Sequence, residues 1–352
     1  MEASARRRGR TVATVAVLAL LAAACGSTVE PDQVAPAAIE DTPPEIEVPE
    51  PQPEPEPVGT APLTGVELFD EEELEILATR PAVIVKIPND PAARPHTGIE
   101  AADVVYEQET EGGVTRFAAV FHSTYPDVVG NVRSGRFVDV PLVAPYQGVM
   151  VYSGARGEVQ AHIDGAGITR VTEGGPGFYR DGSRRAPHNL YLRLPEAAAA
   201  REAEPAAPAP WRFDEQAPDG GREITGRVKV ATTRSARTGW EYDEDEGVFR
   251  RFQDGTPHTV TGEGAIGAAN VVVLDVPVTG RDSHGAPIYG LDGGGAALLL
   301  RDGRAYDVGW SKSGTHGPLE LLDGDDPAVL APGTTWVLLT YGDAIGRVSG
   351  LE

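Results

Sequence analysis

The chain has 352 residues, 53 acidic against 30 basic for a formal net charge of −23, and 41% hydrophobic content. That charge excludes nucleic acid or an anionic membrane surface as partners held by bulk electrostatics, while the hydrophobic share allows a sizeable core in two ordinary domains. The one cysteine, Cys25, excludes an intramolecular disulfide.

Residues 1–25 read as a lipoprotein signal peptide. "ARRRGR" is a basic start, "TVATVAVLALLAAA" an apolar run too short to span a bilayer, and small residues precede "CGS". This resembles a bacterial lipoprotein signal, in which Cys25 is lipidated and becomes the mature N-terminus. Ala22 stands where leucine is usual, so a plain secretory signal is the alternative. Inside this leader Cys25 cannot be a catalytic thiol. The expectation is an extracytoplasmic protein held to the bacterial cell membrane by its lipid anchor alone. Residues 26–61, with "PPEIEVPEPQPEPEPVG", read as a disordered acidic, proline-rich linker that repels itself and has too few apolar residues to fold.

Residues 62–197 are expected to form a mixed α/β domain. "DEEELEILATR" has acid at its start and apolar residues at helical spacing. "PAVIVKI", "ADVVYEQET", "TRFAAVFHS" and "GVMVYSG" read as strands, and "RFVDVPLVAPY" and "EVQAHIDGAG" as helical. A connection at 198–210 follows, within "PEAAAAREAEPAAPAP". Residues 211–352 are expected to be mostly β, with Asp-Gly in "RDGR" marking a hairpin. The fold class is therefore α+β, a mixed α/β domain followed by a β-rich one. All four tryptophans fall in the second, where such residues are more often core than sugar platforms.

Polar residues of the first domain cluster in sequence. "EQETEGGVTR" carries Glu107, Glu109, Glu111 and Arg116; "GNVRSGR" carries Arg133, Ser134 and Arg136. "VYSGARGE" carries Ser153, and "SRRAPHNLY" carries His188 and Asn189. In a strand "VVYEQE", Tyr106 and Gln108 share one face while Glu107 and Glu109 share the other. Guanidiniums bind phosphate or carboxylate through paired hydrogen bonds, so an anion site is one reading. Internal ion pairs of Arg116, Arg133 and Arg136 with Glu107 and Glu111 are the other. Catalytic templates fail: "KSG" at Lys312 lacks its S-x-x-K companion, and no G-x-S-x-G elbow or phosphate-binding glycine loop occurs. His162 and Asp164 form an H-x-D pair with no supporting metal ligands. No cofactor and no metal is expected.

As a set, "PLTG", "RPAVIVKIPNDPAARPHTG", "ADVVYE", "EGGVTRF", "GNVRSGR" and "RRAPHNLY", followed by "NVVVLDV", "GGAALLLRDGRAYDVGWSK" and "PGTTWVLL", resemble the YerB-like lipoprotein family, built of a DUF3048 domain and its C-terminal companion. Asn131, Gly135 and His96 stand where that family commonly has proline, alanine and glutamine. The resemblance implies a two-domain envelope lipoprotein and one shared polar feature, but no reaction. With Arg94, the expected ligand-binding set is Arg94, Glu107, Glu111, Arg116, Arg133, Ser134, Arg136, Ser153, His188 and Asn189. Three functions stay open: binding of an anionic cell-wall glycan or phosphate-bearing polymer, an envelope hydrolase or transferase using the same residues, and a structural or regulatory module docking an envelope protein.

Overall fold

Runs of β-branched and aliphatic residues bounded by Gly, Pro and Asp set most of the architecture. The computed structural model describes residues 55–352 apart from 207, 208, 210, 234 and 263. The expected signal peptide with Cys25, and the expected 26–61 linker up to residue 54, lie outside the described residues. Folded structure takes in the end of that linker: Gly59–Thr60 pairs with Glu67–Leu68, and Ala61 is buried. Helix α1 (Glu71–Thr79) starts where the Asp70 carboxylate accepts the Glu72 amide at 2.8 Å, with three glutamates in its first turn.

The N-terminal half then supplies β1 (Val83–Pro88), β2 (Val104–Glu109), β3 (Thr115–Phe121), α2 (Asp139–Val143), β4 (Val149–Tyr152), α3 (Gly157–Gly165), β5 (Thr169–Thr172) and α4 (Leu194–Ala199). The C-terminal half supplies β6 (Arg222–Ala231), β7 (Arg237–Asp243), β8 (Val248–Gln253), β9 (Asn270–Asp275), β10 (Gly293–Arg301), β11 (Arg304–Lys312), β12 (Glu320–Asp323) and β13 (Thr335–Thr340). Asp302 and Gly303 both have positive φ, +48° and +69°, as the tight β10–β11 hairpin requires.

Strands from both halves run into one sheet, in spatial order β5-β4-β1-β3-β2-β13-β9-β10-β11-β12. The seam is the parallel pair β2–β13, with Val104 opposite Thr335 and Glu107 opposite Leu338. One face of this sheet is buried under α2 and α3 through Val140, Leu142, Val143, Val159 and Ile163. The other is covered by the β6–β7–β8 sheet and α4 through Val228, Val230, Trp240, Phe249, Leu194 and Ala197. The molecule is thus mostly strand with few, short helices. Beyond Ala199 the only helical turn among the described residues is the 3₁₀ turn Ile345–Arg347. All four tryptophans are buried.

The two halves also share a buried polar network. Glu107 and Arg251 form an ion pair at 2.8 Å with both side chains fully enclosed. Thr115 donates to Glu107 at 2.8 Å, and Asn89 bridges Thr115, Glu107 and Gln253. The Arg251 guanidinium lies over the rings of Phe117, Trp240 and Trp336. Beyond it, Arg251 Nη1 meets His258 Nδ1, His258 Nε2 meets His96 Nδ1 at 2.8 Å, and His96 Nε2 meets the Pro88 carbonyl at 2.6 Å.

Only one proton arrangement fits this chain. Pro88 O can only accept, so His96 carries its proton on Nε2 and accepts on Nδ1. His258 must then donate from Nε2 and accept Arg251 on Nδ1. Both imidazoles are neutral. Burial, aided by Arg251 and opposed by the Pro88 bond, pulls His96 down to about 3; burial and Arg251 pull His258 well below its ordinary value.

Between about pH 6.5 and 3 the unfolded chain therefore binds protons that the folded chain refuses, and stability falls as pH drops through that window. Glutamine at position 96 keeps a donor and an acceptor but cannot titrate. His96→Gln is expected to flatten the acid-side slope of folding stability by about 1.4 kcal/mol per pH unit, read from urea melts at pH 7, 6, 5 and 4. Parallel wild-type and variant slopes would contradict the assignment.

Candidate functional site

Alternation along the strands sorts the polar residues of the N-terminal half onto two faces. On β2, Glu107 follows Val105 toward the second sheet, whereas Gln108 follows Tyr106 toward α2. Lys86 of β1 and Arg116 of β3 point the same way as Gln108, being two residues from Ile84 and Ala118. The ends of three adjacent strands so place Lys86, Gln108 and Arg116 beside the start of α2.

Asp139, the first residue of α2, is completely buried and binds the first two of them. Lys86 Nζ pairs with Asp139 Oδ1 at 2.6 Å, Gln108 donates to the same oxygen at 3.0 Å, and the Arg136 amide donates to Oδ2 at 2.6 Å. Burial lowers Lys86 to about 8 despite Asp139, with the charges of Arg116 and Arg136 adding to the shift.

Above this floor, Arg136 grips Glu111 through Nε at 2.8 Å and through Nη2, and Arg116 Nη2 lies 3.6 Å from the same carboxylate. Burial works against the Glu111 anion, but the Arg136 bonds and the Arg116 charge win and hold it at about 2. Burial, together with the charges of Arg136 and Arg133, lowers Arg116 to about 10. The remaining donors fix the loop: Arg116 Nη1 reaches the Ser134 carbonyl at 3.0 Å and Arg136 Nη1 the Gly135 carbonyl at 2.7 Å.

Arg133 differs from its neighbours. Its backbone is anchored, with its amide donating to Lys86 O at 2.8 Å and its carbonyl accepting from Ser153 N at 2.9 Å. Its half-buried side chain makes no ion pair and no hydrogen bond among the described residues, and its buried Nε has no partner. The Ser134 and Ser153 hydroxyls lie 3.4 Å apart beside it. His188 pairs with Asp90 at 3.1 Å; burial and the nearby charges of Arg133 and Arg184 hold it below its ordinary value against Asp90.

Of the ten expected ligand residues, Glu111, Arg116, Arg133, Ser134, Arg136 and Ser153 come together, with His188 at their edge. Glu107 is on the opposite face, inside the network with Arg251. Asn189 accepts from Arg180 at 2.7 Å, and Arg94 faces Asp254 at 3.9 Å, so neither joins the cluster through a bond. The sequence reading passed over Lys86, Gln108 and Asp139. A lysine inside the apolar run "VIVKIP" was the available signal, since a buried ammonium needs a carboxylate. Asp164 of the H-x-D pair bonds Arg170 at 2.9 Å, and no cluster of three metal-ligating side chains occurs among the described residues.

Residues 63–207 match the family described as protein of unknown function (DUF3048) N-terminal domain, and residues 228–337 match its C-terminal domain. The chain is 27% identical over 299 residues, 79% of its length and 85% of the other's, to a Bacillus subtilis (strain 168) protein named "Putative lipoprotein YerB". The crystal structure of the YerB protein from Bacillus subtilis superposes with a TM-score of 0.71 at 24% identity, covering 82% of this chain and 98% of that one.

Removing the ammonium from the enclosed floor strands the Asp139 charge. Lys86→Met is expected to cost about 3–5 kcal/mol of folding stability in denaturant melts. A loss below about 1 kcal/mol would mean that the pair does not hold the floor together.

Proposed function

The chain belongs to the DUF3048 family, and from that premise we propose that it is a membrane-anchored, extracytoplasmic lipoprotein that binds an anionic envelope ligand at Arg133. One observation carries the reading. Among three neighbouring arginines, two are committed to Glu111 and to loop carbonyls, whereas the Arg133 side chain is uncommitted on a half-exposed surface. The lipoprotein part is supported by the leader sequence ending at Cys25 and by the name of the Bacillus relative. No helix among the described residues is long and apolar enough to cross a membrane.

The chemistry of such a surface follows from its charges. Lys86, Arg116, Arg133 and Arg136 stand against Glu111 and Asp139, leaving a local positive excess in a strongly acidic chain. A phosphate or carboxylate at Arg133 would take paired guanidinium hydrogen bonds, with the Ser134 and Ser153 hydroxyls as neutral donors. Arg116 and Arg136 would add field without contact. The ligand class this suits is a cell-wall glycan fragment or a phosphate-bearing polymer. Glu107 plays no part in it, being fully buried.

The arginines then separate in experiment. With the full chain and purified wall fragments, Arg133→Ala is expected to weaken binding about tenfold or more at an unchanged melting temperature. Arg136→Ala, which strands Glu111, is expected to cost about 1–2 kcal/mol of stability. Equal affinity of wild type and Arg133→Ala in a pull-down titration would refute the proposal.

A further inference from the structure

A second basic concavity lies in the C-terminal half, apart from the Arg133 surface. It has a volume of about 480 Å³ and is lined by Thr232, Thr233, Arg237, Tyr341 and Arg347, with Gly342 in its wall. Three elements form it: the β6–β7 turn, the segment following β13, and the 3₁₀ turn Ile345–Arg347. That volume suits a small organic ligand. Among the described residues no carboxylate lines it, although the chain has 53 acidic residues.

The lining groups differ in what they have left to offer. Thr233 donates to the Gly113 carbonyl at 2.7 Å and accepts the Ser235 and Ala236 amides at 3.0 and 2.8 Å. Thr232 donates to the Ala236 carbonyl at 3.2 Å. The Tyr341 hydroxyl donates to Glu109 at 2.6 Å and accepts from Arg281 at 3.2 Å, so its ring is what the wall presents. Of the acids around it, Glu109 holds Tyr341 and Asp254 accepts the Arg237 backbone amide at 3.0 Å, while the Asp343 carboxylate turns toward Gly346.

The side chains left uncommitted are the exposed guanidiniums of Arg237 and Arg347. Neither forms an ion pair or a side-chain hydrogen bond among the described residues. Another arginine-lined concavity contrasts with this: there Arg170 is tied to Asp164 at 2.9 Å, and Arg201 donates to the carbonyls of Arg170 and Ala200.

We propose that the Arg237–Arg347 cavity is an anion site for a sugar phosphate. Two guanidiniums from different elements converge on the phosphate, and the Tyr341 ring lies against the face of the sugar. The threonine hydroxyls shape the wall without supplying free donors, which disfavours a neutral sugar and selects for the charged group.

The test is titration calorimetry on the full chain with glucose 6-phosphate, inorganic phosphate and glucose as probes. Glucose 6-phosphate is expected to bind more tightly than inorganic phosphate, and glucose not to bind. Arg237→Ala and Arg347→Ala should each weaken the phosphorylated probe about tenfold or more, while Arg212→Ala, an exposed arginine facing Asp214 outside both surfaces, leaves it unchanged. In wild type, the bound probe should protect Arg237 and Arg347 from phenylglyoxal, a readout independent of how the variants fold. Absence of binding, glucose binding as well as its phosphate, or unaltered affinity in both cavity variants would overturn the proposal. Loss of binding in Arg133→Ala alone would place the probe at the other surface and overturn it equally.

Discussion

The ion pair of Glu107 with Arg251 is the contact around which the rest of the molecule is arranged. Each charge comes from a different half of the chain, and each is completely enclosed. Isolated, either would be severely destabilising in a low-dielectric interior. Each half therefore needs the other for its polar interior. The parallel seam β2–β13 brings the backbones together at the same place, because Glu107 lies opposite Leu338 in that ladder. Asn89, Thr115, Thr238, Gln253, His258 and His96 complete the network with groups from both halves.

The commitment of Glu107 inward also decides what its neighbour does. One residue along the strand, Gln108 emerges on the opposite face and joins Lys86 at Asp139. On that floor the arginines divide their labour. Arg116 and Arg136 neutralise Glu111 and pin the loop carbonyls of Ser134 and Gly135. Arg133, carried on the same loop, keeps its guanidinium unspent. In a chain of net charge −23 a cationic surface survives only where the local carboxylates are outnumbered, and here they are.

Much of the fold was legible in the sequence. "DEEELEILATR", "PAVIVKI", "TRFAAVFHS" and "GVMVYSG" form the elements their patterns indicate, and the "RDGR" hairpin has the backbone its Asp-Gly pair favours. In the N-terminal half the four strands read from the sequence form, whereas β5 and the short pair Phe178–Arg180 with Leu190–Leu192 carried too few apolar residues to be read. The grouping of Glu107 with the arginines was legible only in part. Alternation separated it from Gln108, but the partner that decides its role is 144 positions away in the chain. Arg251 itself was hidden: in "VFRRFQ" the buried face carries Phe249, Arg251 and Gln253, while Phe252 turns outward beneath Arg227. A hydrophobicity pattern cannot anticipate an arginine taking a core position, because only a carboxylate from a distant strand makes it tolerable.

The direct test of this arrangement is calorimetric unfolding of the full chain, followed in parallel by tryptophan fluorescence, which reports the C-terminal half and, through Trp336, the seam. If the Glu107–Arg251 network and the β2–β13 seam unite the halves, the folded part unfolds in one transition, with matching calorimetric and van't Hoff enthalpies and a coincident fluorescence midpoint. Two resolved transitions, with the tryptophans following only one of them, would contradict it.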